Sequence, residues 1–332
     1  MSNYNNDIIL LGGCKNVAKN NEYVDKKMYF ANFNITFGKD SEPMLTHFFD
    51  IIYPSMTSGY ERESPNRTGM VFLLSNIEIK NISGDIVLVG NYIKNMSYSV
   101  NTQLENGELE ELNIDIPTSP YSRFIIYLKN HRMVLIKNES ASPDIRSFQV
   151  HIRTVINQYI ITINKEKSQY EKLPVANINI VDMPFENEIR ETLIQAKKIK
   201  WVKFRFFPLN ADIPPMFAND IVNQIKLMES RSGNLIVNSP KAINPVVKSI
   251  QETVGLAEPT VKIENYDGSS TTIKGSQFKS NMDVTYNGNI NSNTDGYLVE
   301  QSKKNEKMLV TSEENQRLFD RVKTKLERLI QR

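Results

Sequence analysis

The chain has 332 residues and a mass of 38.1 kDa; 40% are hydrophobic, 23% charged and 9% aromatic, which is material for two packed domains and not for a disordered tail. Its longest apolar runs, Met70 to Leu74 and Phe124 to Leu128, fall far short of the roughly 20 residues of a spanning helix, so no membrane insertion is expected. The formal charge of +2 divides into 14 Lys+Arg against 17 Asp+Glu over residues 1–150 (−3) and 26 against 21 over residues 151–332 (+5). With a pI near 8.3 the chain lacks the strong basicity of a protein that coats DNA indiscriminately.

Met1 to Asn6 brings no basic n-region and Ile8 to Leu11 is too short for a signal peptide, so the protein is expected in the cytoplasm. Cys14, the single cysteine, excludes an internal disulfide, and with three histidines it leaves few ligands for zinc or iron–sulfur. No cofactor is expected.

Tyr29, Ala31, Phe33, Ile35 and Phe37 alternate with Phe30, Asn32, Asn34 and Thr36, which predicts a strand with one wetter face. Ser41-Glu42-Pro43 opens a helix with Met44, Leu45, Phe48, Phe49 and Ile52 on its apolar side, closed by Tyr53-Pro54. Strands are predicted over 70–80, 85–94, 96–104, 109–115, 121–128 and 132–138, with turns at Gly84-Asp85, Asn106-Gly107 and Asn130-His131. Ser142-Pro143-Asp144 starts a helix that buries Phe148, Ile152, Val155, Ile156, Tyr159 and Ile160. The whole reads as an antiparallel sheet with flanking helices, residues 1–163.

The polar segment Asn164 to Leu173 is read as a domain boundary, so residues 174–332 form a second, basic α/β domain and the fold class is α+β. A strand at 175–181 precedes a helix from Pro184 with Glu186 and Glu188 near its start and Lys197 and Lys198 near its end. A strand from Ile199 to Phe207, helices over 214–229 and 244–255, and a hairpin around Asp267-Gly268 follow. Asn287 to Gly296 is read as a long loop or hairpin tip, and a helix from Ser312, with Thr311 and Glu314 as a capping box, closes the chain.

Two constellations bear on function. In the strand Ile199 to Phe207, Val202, Phe204 and Phe206 point one way; Trp201, Lys203, Arg205 and Phe207 point the other, with Lys197, Lys198 and Lys200 just before and no acid between residues 192 and 211. Rings for bases beside cations for phosphates are what a nucleic-acid platform needs. The competing reading is a strand covered on both faces, its cationic heads reaching the rim. In the last helix, at about 100° per residue, Arg317, Arg321, Lys325, Arg328 and Arg332 form a file beside the apolar arc of Leu318, Phe319, Val322, Leu326, Leu329 and Ile330. Such a file suits a phosphate backbone, an acidic partner, or simply the rim of an amphipathic helix.

Catalytic patterns are sparse. Asp50 with Glu78-Ile79-Lys80 formally fits a metal nuclease, a pattern that is frequent by chance. Glu105, Glu108, Glu110, Glu111 and Asp115 read as a solvated hairpin edge, and His47, His131 and His151 as structural or exposed. Gly12-Gly13-Cys14 lacks the partners of a phosphate loop or a thiol nucleophile, and kinase, Rossmann, hydrolase-elbow and zinc signatures are missing.

In order of elements, the strand-rich first half (Met28 to Lys137), the helix leading into Lys197-Lys198-Ile199-Lys200-Trp201-Val202-Lys203-Phe204-Arg205, the hairpin Val261 to Lys274 and the terminal helix resemble the layout of RexA-type phage-exclusion proteins and of KwaB-type DNA-binding subunits of bacterial phage defence. The resemblance implies DNA binding independent of sequence by a homodimer or larger assembly, beside a defence partner protein. The Asn-rich stretch near 287–296 and the mild pI depart from that pattern. The residues expected on nucleic acid are Lys197, Lys198, Lys200, Trp201, Lys203, Arg205, Arg317, Arg321, Lys325 and Arg328, with DNA preferred to RNA. The alternatives are a scaffold subunit without enzymatic activity and, third, a metal-dependent nuclease.

Overall fold

A computed structural model describes residues 24–105, 107–278 and 280–331; Cys14, Asn106 and Arg332 lie outside the described residues. Strand β1 (Val24–Phe37) is the hub of an α+β fold with two antiparallel sheets. Phe33, Ile35 and Phe37 are fully buried as their alternation predicts, but the expected wetter face is buried too, at Asn32, Asn34 and Thr36. A later part of the chain covers it: Asn34 Nδ2 donates to Pro208 O at 2.9 Å, and Asn34 Oδ1 accepts from the Asn210 amide at 2.9 Å. Bonded amides tolerate such burial.

Strand β2 (Glu42–Pro43) leads into a helical stretch of changing pitch, a 3-10 turn at Met44–His47, a π turn at Phe48–Ile52 and α1 (Tyr53–Met56). Tyr53-Pro54 therefore does not end it. The widened turn lets Tyr53 N–H reach Phe48 O, and Pro54, with no N–H to place, sits inside the following turn. Then come β3 (Arg62–Glu63), β4 (Val71–Ile82), β5 (Asp85–Glu105), β6 (Glu108–Thr118), β7 (Tyr121–Tyr127) and β8 (Arg132–Lys137). The two strands expected over 85–94 and 96–104 are the single strand β5. Helix α2 (Ile145–Asn164) is capped by Asp144, which accepts from Ser147 N at 2.8 Å, two residues later than the Ser142 cap expected.

The remaining elements are β9 (Ala176–Asp182), α3 (Glu186–Ile194), β10 (Lys198–Phe206), α4 (Asn219–Leu227), β11 (Gly233–Asn238), α5 (Ile243–Glu252), β12 (Ala257–Glu264), β13 (Ser270–Lys274), β14 (Asn281–Tyr286), α6 (Asp295–Ser302) and α7 (Glu313–Ile330). The large sheet has the order β14-β1-β8-β7-β5-β4-β3, and β14 and β9 share β1, taking residues 24–29 and 31–37 of it. The polar segment 164–173 thus lies within the first body: β9 and β14 pair with β1, α7 packs Phe319 and Leu326 into that sheet's core, and α6 buries Leu298 and Val299 on its other side. Residues 184–278 form the second sheet, order β11-β10-β12-β13, as an insertion between β9 and β14. Its core joins Val202, Phe204 and Phe206 to Ile189, Ile225 and Val247 of α3, α4 and α5. Strands β11 and β14 and helix α6 have no counterpart in the sequence reading. Ser312, not Thr311, caps α7, accepting from Asn315 N at 3.0 Å.

Candidate nucleic-acid interface

Because β10 is central in the second sheet, its alternation sorts its side chains cleanly. Val202, Phe204 and Phe206 are buried under the helices, whereas Trp201 and Lys203 are partly exposed and Arg205 is exposed. The register extends that second face sideways. Trp201 lies between Asn238 and Lys262, Lys203 between Ile236 and Thr260, and Arg205 between Asn234 and Glu258, while Lys274 lies opposite Thr260 on the next strand. None of these neighbours is buried. Lys203, Arg205, Lys262 and Lys274 thus tile an accessible surface with a single tryptophan on it, and β10 runs along it for about 30 Å at 3.3 Å per residue. Coverage on both faces, the competing sequence reading, is not what the fold builds. Phe207 departs from the expectation: it is buried, and its ring lies 5.2 Å from the Arg205 guanidinium carbon instead of offering a second open face.

At the C-terminal end of β10 this surface runs into a cleft of about 720 Å³ between the two bodies. Five cations line it: Arg146 and Arg153 from α2, Arg205, Arg231 from the loop before β11, and Lys274. The lining acids are Asp182 and Glu258. Arg153 Nη2 is fixed by Ile178 O at 3.0 Å, and Asn177 Nδ2 donates to Arg231 O at 3.3 Å, so β9 holds cations from both bodies. Burial pushes the Asp182 carboxyl up to about 6, with Asp144 and Glu258 acting in the same direction against the hydrogen bond from Ser280 Oγ at 3.1 Å. Sequence reading missed Arg146, Arg153, Arg231 and Lys274. A signal for two of them existed in the stripe Arg146, Gln149, Arg153 and Asn157, which recurs at helical spacing on α2 away from its apolar face.

Lys197, Lys198 and Lys200 converge at the opposite end of β10. Their ammonium groups lie 3.3, 3.2 and 3.3 Å from Glu264 carboxylate oxygens, and Lys200 also donates to Ser270 Oγ at 2.8 Å. Lys198 above all, then Lys197 and Lys200, holds the Glu264 carboxyl below the usual range. The acid missing from residues 192–211 of the sequence is supplied by β12, whose register sets Glu264 against Lys198. With Lys241 these lysines border a second cavity of about 700 Å³ beside the start of α5.

The cations of α7 lie elsewhere. Arg317, Arg321, Lys325 and Arg328 are exposed on a helix packed into the first core, and none of them lines either cavity. Arg317 meets Glu313 and Glu314 at 3.7 and 3.9 Å, and Lys325 Nζ lies 5.8 Å from the Phe49 ring centroid. Of the ten expected residues only Arg205 lines the cleft; Trp201 and Lys203 share its face of β10, Lys197, Lys198 and Lys200 gather on Glu264 at the other end of the strand, and the α7 cations stand apart.

The nuclease pattern is not assembled. Asp50 is bonded to His47 at 3.2 Å, and Lys80 is held between Glu78 at 3.2 Å and Asp295 at 2.7 Å. Among the described residues no three His, Cys, Asp or Glu side chains gather as metal ligands would. His131 and His151 are buried, which brings both imidazoles down to about 3. His131 bonds Asn315 at 3.1 Å and His151 packs on Tyr92, whereas His47 bridges Glu42 and Asp50. Scanned against models of known protein families the chain matches none, and no curated protein matches it.

Proposed function

We propose that this protein binds nucleic acid, DNA before RNA, through phosphate contacts that do not depend on base sequence. One observation carries the reading: the accessible face of β10 carries Trp201, Lys203 and Arg205, and at Arg205 it borders a cleft where five cations face two acids. Phosphates fit the cations, whose neutralisation of the backbone releases counterions. Trp201 gives an unpaired base a surface to stack on, which favours single strands. Lys197, Lys198 and Lys200, already shared with Glu264, contribute long-range attraction more than direct contacts. The resemblance of the sequence's layout to RexA-type and KwaB-type proteins extends the proposal to a role in phage defence. The test is fluorescence anisotropy with labelled single-stranded and duplex oligonucleotides at low salt. Binding to either form supports the proposal, and no binding to both overturns it.

A further inference from the structure

Beyond Asn95, β5 leaves the sheet and pairs with β6 alone, forming an arm of nine residue pairs, roughly 30 Å long at 3.3 Å per residue. Tyr98 stands opposite Ile116, Val100 opposite Ile114, and Leu104 opposite Leu109 towards the tip. Leu104 and Leu109 are 72% and 76% exposed, and Tyr98, Ile114 and Ile116 about half. A two-stranded ribbon with no third strand beneath it is marginal in water, and an exposed apolar cluster of this size marks a contact surface. The arm's charge is one-sided. Between Lys94 and Arg123 the sequence holds Glu105, Glu108, Glu110, Glu111 and Asp115 and no Lys, Arg or His. One cation reaches its base, where Arg67 donates to Ser97 O at 2.7 Å and lies over the Tyr98 ring. Glu108 and Glu111 are exposed and have no ion-pair partner among the described residues.

The complementary surface is α7. Arg321 and Arg328 are exposed and likewise have no ion-pair partner among the described residues, and the half-buried Leu318, Val322 and Leu329 border the cationic file. Among the described residues no ion pair joins Glu108 or Glu111 to Arg321 or Arg328 of the same chain. We propose that the arm is a dimerisation element that docks on the cationic face of α7 in a second copy of this chain. A second copy is the fitting occupant because one chain carries both halves of the contact, opposite in charge, with Glu108 and Glu111 on one and Arg321 and Arg328 on the other without an ion pair among the described residues. Reciprocal exchange in a two-fold dimer satisfies both at once. The inference is independent of the nucleic-acid reading, since α7 lines neither cavity.

The test is sedimentation velocity of the full-length protein at low and high salt, with circular dichroism to confirm folding. The wild type is expected to be a dimer that weakens as salt screens the contact. Arg321→Glu with Arg328→Glu, and separately Glu108→Lys with Glu111→Lys, are each expected to give folded monomers. Mixing the two variants is expected to restore a dimer, because the reversed arm then meets the reversed helix and the native arm the native helix. A monomeric wild type at low salt, a dimer that survives either reversal, or two variants that stay monomeric when mixed would overturn the proposal.

Discussion

Arg123 and Asp295 face each other in the interior across 172 residues of sequence: Nε donates to Oδ1 at 2.8 Å and Nη2 to Oδ2 at 2.7 Å, with both side chains sealed from water. Lys80 adds a bond to Oδ2 at 2.7 Å, and Asn91 Oδ1 takes Arg123 Nη1 at 3.0 Å. The fork ties the start of α6 to β7 and so fixes the returning end of the chain on the first sheet. Asp295→Ala leaves a buried guanidinium without its counter-charge, and the expected loss is about 3–5 kcal/mol in urea denaturation. Replacing Arg123 and Asp295 together by leucine is expected to cost less than Asp295→Ala alone. Equal stability of wild type and Asp295→Ala would remove the pair from the account of the fold.

The cleft predicts how affinity responds to salt. On a single strand the slope of log affinity against log salt is about 0.7 per neutralised phosphate, so each cation lost should lower it by about that amount. Arg153→Glu combined with Arg205→Glu is expected to weaken binding and flatten the slope, read by anisotropy over a salt series. With an oligonucleotide short enough for one cleft, Arg321→Glu and Arg328→Glu should leave both quantities unchanged. Loss of binding in the α7 variants with binding intact in the cleft variants would move the interface to the helix.

Asp182 gives the cleft a pH dependence. Burial raises its carboxyl to about 6; Asp144, Glu258 and Ser280 act on it, and Arg146, Arg153, Arg205, Arg231 and Lys274 line the same cleft. The folded state thus holds a proton that the unfolded chain has released between about pH 4 and 6, so this group's contribution to stability is complete below pH 4 and is lost as the pH rises through 6. A bound phosphate disfavours the carboxylate further. If it raises the value by one unit, binding tightens about tenfold as the pH falls from above 7 to below 6. Asp182→Asn is expected to bind well at pH 7.5 and to lose most of the pH dependence; an unchanged profile in that variant would assign the dependence to another group.

Local pattern made the elements around the site readable and long-range pairing hid their arrangement. The alternation of Val202, Phe204 and Phe206 with Trp201, Lys203 and Arg205 was enough to divide β10 into a core face and an accessible face. The turn at Asp267-Gly268 likewise marks the β12–β13 hairpin. What joins distant parts leaves no local trace: Val24 pairs with Tyr286, Glu264 gathers three lysines from another strand, and Arg146 and Arg205 meet across the cleft only because β9 joins β1. A polar run such as Asn164 to Leu173 reports only that the chain is at the surface there, whether or not a domain ends. The Asn-rich stretch after β14 reads as a loop, because the partners that anchor it, Asn138 and Tyr121 at Ile290 and Arg123 at Asp295, lie more than a hundred residues away in sequence.

Trp201, the only tryptophan in the chain, reports directly on which form of nucleic acid the site takes. Its ring is partly exposed on the accessible face between Asn238 and Lys262, so a base stacking on it should quench or shift its emission on titration with an unlabelled oligonucleotide. Stacking is worth about 1–3 kcal/mol per base, so Trp201→Ala is expected to weaken single-stranded binding by roughly 10- to 100-fold. A duplex offers no free base face and meets only the cations, so its affinity should change little. Trp201→Phe keeps an aromatic surface and should restore most of the single-strand affinity. Equal losses for single strand and duplex in Trp201→Ala, with no recovery in Trp201→Phe, would make Trp201 a packing residue of the sheet and leave phosphate attraction as the sole source of binding.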